Sequence, residues 1–246
     1  MNGPTVRPSS SSASSASSST PATLAGTAAA HASDRMATAQ MAIAIVGLVG
    51  FVLLTILVKA SGNLPFDGPI RDVALGWHSW NGVWDFISNA ANFPLIGVAV
   101  AIVVWLLFRR RRREALLVFI ALALVTAGSE GVKELVHRPR PPASTAVVPG
   151  VVYSYPSGHE LESVVILGIV ALLVWRSRAP HALRVAVAIA VALFCAAVAV
   201  ARVAIDAHWP SDVLAGFVGG IGVLALVAYL TRSSAMHRDA VHSAHG

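Results

Sequence analysis

Apolar runs long enough to cross a bilayer recur along most of this 246-residue chain, and no other feature restricts its fold as much. A hydrocarbon core of about 30 Å takes about 20 helical residues, because each backbone N–H and C=O inside it needs a partner within its own segment. Runs that meet or approach that length lie at roughly Ala37–Ala60, Phe93–Phe108, Glu114–Val136, Glu160–Trp175, Val185–Ile205 and Ser211–Thr231, the second and fourth being short. The expected fold class is therefore all-α, a polytopic membrane helical bundle with six transmembrane helices. Composition agrees: 56% of residues are apolar and only 12% charged, against about 25% charged in a soluble domain. Mean hydropathy is +0.70. The single cysteine, Cys195, excludes an intramolecular disulfide, a zinc finger and a thiol redox pair.

The rest of the chain falls into polar pieces around these runs. Residues 1–36 are Ser/Ala-rich and too simple to bury a core, so a disordered tail is expected there. The first apolar run begins too far from Met1, and is too long, for a signal peptide, and is expected to remain as an anchor. A six-span domain would then cover 37–231, followed by a polar tail over 232–246. Between the first two runs, the segment 64–92 carries Trp77, Trp80 and Trp84 at helical spacing among polar residues. That pattern suits an interfacial helix in the headgroup layer better than a substrate cleft.

Lys and Arg set the expected orientation, since cytoplasmic loops hold the basic excess. With both termini inside, twelve of the eighteen basic residues are cytoplasmic, including the whole cluster Arg109–Arg113. Pinned between two spans, that cluster reads as a topology anchor rather than a nucleic-acid patch, and no nucleic-acid partner is expected. The other six are Lys59, Arg71, Lys133, Arg138, Arg140 and Arg202. In this arrangement one non-cytoplasmic face collects Lys133, His137, Arg138, Arg140, His159, Arg202, His208 and Asp212. A charge buried at mid-depth costs about 2.5–3.5 kcal/mol, so such a gathering marks function.

The chemistry of these groups points to a tetrahedral oxyanion. Lys133 offers a point charge, while Arg140 and Arg202 offer forked donors. Pro156-Ser157-Gly158-His159 opens a helix, whose free N–H groups and positive dipole end favour the same anion. Two histidines and a carboxylate can supply a nucleophile or base, an acid and an orienting group.

Spacing sharpens the pattern. Lys133 is followed after six residues by Arg140-Pro141, then by Pro156-Ser157-Gly158-His159, and Arg202 by His208 and Asp212. Over roughly residues 90–231 the chain resembles the type 2 phosphatidic acid phosphatase family, whose signature is KxxxxxxRP, PSGH and SRxxxxxHxxxD. One position departs: Ala201 stands where the family usually has Ser, which removes a hydroxyl able to bond the phosphate or the adjacent Arg202. The resemblance implies that His208 attacks phosphorus to form a phosphohistidine, with Asp212 holding its other ring nitrogen. It implies that His159 protonates the leaving oxygen and then activates water. Lys133, Arg140, Arg202 and the backbone of Ser157 and Gly158 would bind the substrate phosphate and offset its developing charge.

The expected protein is thus a multi-pass cell-membrane enzyme that removes phosphate from a lipid phosphate or diphosphate on the non-cytoplasmic side. No metal or organic cofactor is expected. His159-Glu160-Leu161-Glu162-Ser163 lacks the second histidine of a zinc-protease helix, and three neighbouring cations would repel a metal ion. A phosphotransferase on the same fold and a non-catalytic anion-binding transporter are the alternatives, the latter lowered by the lack of a repeated half. His137 lies outside the signature and reads as interfacial. Arg138 stays open between phosphate ligand and headgroup anchor, as do Glu130, Glu160 and Glu162 between direct roles and pairing with nearby cations. Three cations balance a diphosphate better than a monophosphate, so a polyprenyl diphosphate such as undecaprenyl diphosphate comes first, phosphatidic-acid-like lipids second.

The charge distribution makes a direct topological prediction. With Cys195 replaced, a cysteine near Arg111 should resist a membrane-impermeant thiol reagent in intact cells, and one near Pro149 should react. The reverse labelling would place the histidine face in the cytoplasm.

Overall fold

The structure, a computed structural model, describes residues 21–142 and 152–243. The Ser-rich stretch 1–20, the segment 143–151 that includes Pro149, and the last three residues lie outside the described residues. The described chain is helical: α1 (Pro21–Ser61), α2 (Asp67–Leu75), a 3-10 turn at His78–Trp80, α3 (Asn81–Ala90), α4 (Phe93–Phe108), α5 (Arg112–Val136), α6 (Gly158–Trp175), α7 (His181–Ala204) and α8 (Pro210–Ser243). The pairing between Pro139 and Tyr153 is an isolated antiparallel bridge. The chain divides into two units, Met1–Ala37 and Thr38–Gly246. In the first, the described residues are helical from Pro21, so helix takes in the latter part of the segment expected to be a disordered tail. Its alanines are the strongest helix formers. At the other end, α8 runs to Ser243, into the expected polar tail.

Among the described residues six stretches are long and apolar enough to cross a membrane: His31–Ser61, Asn81–Phe108, Arg112–Val136, Gly158–Trp175, His181–Ala204 and Pro210–Arg232. The protein is a multi-pass membrane protein. Its outer surface carries Val46, Phe93, Phe108, Phe119, Leu124 and Leu193, while Glu114, Lys133, Arg138, Glu160, Arg202 and Asp212 are buried. A water-soluble surface would not expose so much apolar area, whereas lipid accepts it.

The second span differs from the expectation. It is not a short run after an interfacial segment but the 28-residue stretch Asn81–Phe108, in which α3 and α4 are separated by Ala91-Asn92. Pro94 in the first turn of α4 marks the break, where a missing N–H costs nothing. Asp85, Ser88 and Asn89 lower the hydropathy of α3, and buried Ser88 shows why they are tolerated: it faces a buried arginine of α7. The expected interfacial helix is thereby confined to α2 and the turn after it. Trp77 and Trp80 are exposed there, with Trp84 donating to the Trp77 carbonyl at 3.3 Å.

α6 and α8 form the centre, with close to half of each apolar stretch enclosed. Their approach depends on Gly216, where a β-carbon would meet the Ser157 carbonyl oxygen at 2.7 Å and the Leu161 nitrogen at 3.1 Å. Small residues at a membrane helix crossing let backbones come this close. The crossing lies directly below the PSGH turn, so helix packing and site geometry share one contact.

Gly216→Ala should therefore cost about 1–3 kcal/mol, the usual penalty of overpacking. Thermal unfolding in detergent checks this against Gly97→Ala, where no atom lies within 4 Å and no such loss is expected.

Candidate phosphate site

Three turns bring the signature residues together. At the first, α5 ends on His137 in the left-handed conformation, φ +57°, and its N–H caps the Lys133 carbonyl at 2.9 Å. This reversal directs Arg138-Pro139-Arg140 back over the bundle, where the Arg138 carbonyl accepts from the Ser154 N–H at 2.9 Å. The second turn is Pro156-Ser157, after which α6 begins at Gly158. The Ser157 N–H donates to the Asp212 carbonyl at 3.0 Å, joining the second motif to the third. At the third, the Arg202 carbonyl accepts from the N–H groups of both Ala207 and His208 at 3.1 Å, and Asp206 takes φ +57°. Arg71 of α2 grips Asp206 at 2.5 and 2.8 Å. That ion pair holds the Arg71 guanidinium above its ordinary pKa and ties the interfacial helix to the corner before His208.

At the centre stands His208, 2% exposed, with Nδ1 3.5 Å from Oδ2 of Asp212. That separation is a contact rather than a formed hydrogen bond. The positive charges of Arg202, Arg140 and Lys133 act on the His208 ring, and the Ser154 backbone faces it. The same three cations act on His159. Burial first, and then these cations, press the His208 pKa well below the ordinary histidine value. The imidazole is held neutral at neutral pH.

The expected phosphate ligands surround this pair. A β-carbon on Gly158 would lie 3.9 Å from Lys133 Nζ, so the start of α6 faces the ammonium. Lys133 is also bonded to Glu130 at 2.5 Å, which assigns that carboxylate to pairing. Arg140 donates to the Ala207 carbonyl at 2.8 Å, and burial lowers its pKa. Arg202 is buried and donates to Ser88 Oγ of α3. A hydroxyl thus reaches Arg202 from another helix although Ala201 has none. Nε of Arg202 and Oγ of Ser157 and Ser129 are buried without a hydrogen-bond partner in the chain. Buried donors with no partner are costly, and an anion among them would satisfy them. Among the described residues no group of three or more His, Cys, Asp and Glu is placed to hold a metal ion.

His137 lies apart, stacked edge-on against Tyr153 at 4.6 Å. Glu162 accepts from Thr126 at 3.0 Å, and both Glu160 oxygens are buried and unpartnered. Sequence reasoning missed Asp67, Ser88, Asp206 and Ser211. Only charge balance could have flagged Asp67, since buried Arg138 needs a carboxylate. Beside the polar site, an apolar groove of about 790 Å³ runs between α2, α7 and α8, lined by Ile70, Val73, Val203, Leu214 and Phe217 among others.

Comparison with known proteins agrees with this geometry. The sequence model of the PAP2 superfamily matches residues 114–235, which contain all three motifs. The chain belongs, through this segment, to the PAP2 superfamily, the type 2 phosphatidic acid phosphatases. A crystal structure of a transmembrane PAP2-type phosphatidylglycerolphosphate phosphatase from Bacillus subtilis superposes with a TM-score of 0.65 at 23% identity, over 75% of this chain and 93% of the other. No curated protein sequence matches the chain. The fold is that of a membrane phosphatase.

The Ser88–Arg202 bond carries a prediction. Ser88→Ala removes a hydrogen bond to a charged group, of order 1.5 kcal/mol, so inorganic phosphate or vanadate should bind about ten-fold more weakly. Competition binding to the purified protein measures it, and unchanged affinity would separate Ser88 from the anion site.

Proposed function

We propose that this protein is a lipid phosphatase that removes a phosphoryl group from a membrane lipid phosphate or diphosphate through a phosphohistidine. The observation that carries the reading is a buried His208 set against Asp212 and within the field of Lys133, Arg140 and Arg202. A cation cluster alone would bind phosphate. A neutral imidazole backed by a carboxylate adds an electron pair aimed at phosphorus.

In the first step the lone-pair nitrogen of His208 forms a bond to phosphorus as the bond to the leaving oxygen breaks, and His159, which takes up a proton when the bound phosphate offsets the neighbouring cations, gives that proton to the leaving oxygen. Asp212 stabilises the positive ring that results. In the second step His159 takes a proton from water, the hydroxyl oxygen bonds to phosphorus, and the P–N electron pair returns to His208. Lys133, Arg140, Arg202 and the N–H groups at the start of α6 stabilise the equatorial oxygens throughout.

The apolar groove beside the site supports a lipid substrate. Val203 follows Arg202 and Pro210 lies two residues after His208, so the groove begins where the polar pocket ends. A headgroup in the pocket leaves its chain in hydrocarbon, and each buried methylene contributes about 0.8 kcal/mol. A polyprenyl diphosphate is placed first because three cations face the phosphate, and phosphatidic-acid-like lipids second. The active site is placed on the non-cytoplasmic face, with both termini in the cytoplasm.

Phosphate release from a panel containing a polyprenyl diphosphate, phosphatidic acid, phosphatidylglycerolphosphate and a short soluble phosphate tests the reading. His208→Ala should abolish release, and the short phosphate should be the poorest substrate. Because the His208 pKa is lowered, protonation silences it only at acid pH, so the acid limb of kcat/KM should fall well below pH 6.5. Full activity in His208→Ala, or an acid limb near the ordinary histidine pKa of about 6.5, would reject the nucleophile assignment.

A further inference from the structure

Arg138 lies two residues before Arg140 and is 3% exposed, yet its partners are of a different kind. Nη1 donates to Asp212 Oδ1 and, at 2.8 Å, to Ser211 Oγ. Nη2 donates to Asp67 Oδ2 at 2.6 Å and to Asn63 Oδ1 at 2.8 Å. A guanidinium carries two hydrogens on each terminal nitrogen, so four acceptors occupy all four. Only the buried Nε–H remains. Asp67, on the first turn of α2, is wholly buried and equally committed. Oδ1 accepts from the Ser211 N–H at 2.8 Å, and Oδ2 accepts from the Leu64 N–H and Ser211 Oγ, each at 2.8 Å.

From this geometry we infer that Arg138 and Asp67 are positioning residues, which act on the nucleophile through Asp212 and do not bind phosphate. The inference rests on the phosphatase reading above. Asp212 has two oxygens. Arg138 takes Oδ1, while the Trp209 N–H donates to Oδ2 at 2.9 Å, leaving Oδ2 also facing His208. The carboxylate is thereby fixed in rotation beside a buried positive charge. The partners divide along the same line: Arg138 bonds to the two carboxylates, whereas Arg140 bonds to the Ala207 carbonyl beside His208.

Without Asp67 the guanidinium would have one carboxylate and freedom to swing toward the anion pocket. Asp67 holds it back and also caps the start of α8, where Pro210 has no N–H to offer and Ser211 does. The interfacial helix α2 is therefore part of the catalytic apparatus. Trp209 completes the enclosure, its ring 5.4 Å from the Arg138 guanidinium carbon and its Nε1 bonded to the Pro139 carbonyl at 3.1 Å.

Kinetics and vanadate binding of the purified full-length protein test the inference, with Arg140→Lys as the phosphate-ligand comparison. Arg138→Lys keeps charge but loses the fork, and Asp67→Asn is isosteric. Each should lower kcat by about 10–100-fold, the size seen when a group orienting a catalytic ligand is lost. KM and vanadate affinity should stay within about two-fold, whereas Arg140→Lys should weaken vanadate binding. In an Asp212→Asn background, Arg138→Lys should cost little further, because its target is already gone. Weakened vanadate binding in Arg138→Lys, or a full multiplicative loss in the Asp212→Asn background, would overturn the inference. If Arg138→Lys does not fold, Asp67→Asn decides by the same measurements. A wild type that releases no phosphate sinks the functional reading instead, and vanadate binding by the Arg138 and Arg140 variants then decides between ligand and positioning roles without turnover.

Discussion

A guanidinium clamped between two buried carboxylates is the interaction on which the rest of this structure depends. Asp67, Arg138 and Asp212 come from three segments, separated by up to 145 positions, and each is withdrawn from water. Removing Arg138 would leave two buried carboxylates without their common partner, a loss of about 3–5 kcal/mol. The triad therefore fixes α2 over the start of α8 and fixes the chain leaving α5 over both. Three motifs distant in sequence then have one arrangement available to them. Arg71–Asp206 repeats the device a few residues away, tying the same short helix to the corner before His208.

Backbone contacts complete what the charges begin. α6 and α8 approach closely enough at Gly216 for the Ser157 carbonyl to occupy the space a side chain would need. On the same turn, the Ser157 N–H meets the Asp212 carbonyl. The PSGH turn is thus held by the helix that carries Asp212, and a shift of either helix would move the N–H groups at the start of α6 relative to His208. In a bilayer, where apolar burial does not drive helices together, close packing and polar contacts take over that task. Here they are concentrated at the functional end.

The spans were legible because bilayer thickness imposes a length on every crossing helix, and that information is local. The signature residues were legible as spacing. Their mutual approach follows from topology, since the ends of α5 and α7 and the starts of α6 and α8 meet on one face. What was not legible depended on partners far away in sequence. Ser88, Asp85 and Asn89 made α3 look interfacial, because nothing nearby reveals that Ser88 serves an arginine 114 residues later. Arg138 could not be told from Arg140 by type or position. Only the partners separate them, two carboxylates for one and a carbonyl at the pocket wall for the other. Helix beginning at Pro21 was obscured by serine content upstream, which masked an alanine-rich stretch suited to a helix.

The same cations serve two ends that usually conflict. A site positive enough to hold a phosphate lowers the basicity of any imidazole within it, which keeps His208 neutral but also makes it a poorer nucleophile. Arrival of the anion changes the balance. Its negative oxygens offset Lys133, Arg140 and Arg202, so the proposed nucleophile regains basicity once the group it is to attack is in place. Asp212 must then meet the positive charge that forms on the ring, and it can do so only if it is ionised and already aimed. As positioning residues, Arg138 and Asp67 would secure that condition from outside the pocket, where their charges would not add to those proposed to grip the phosphate.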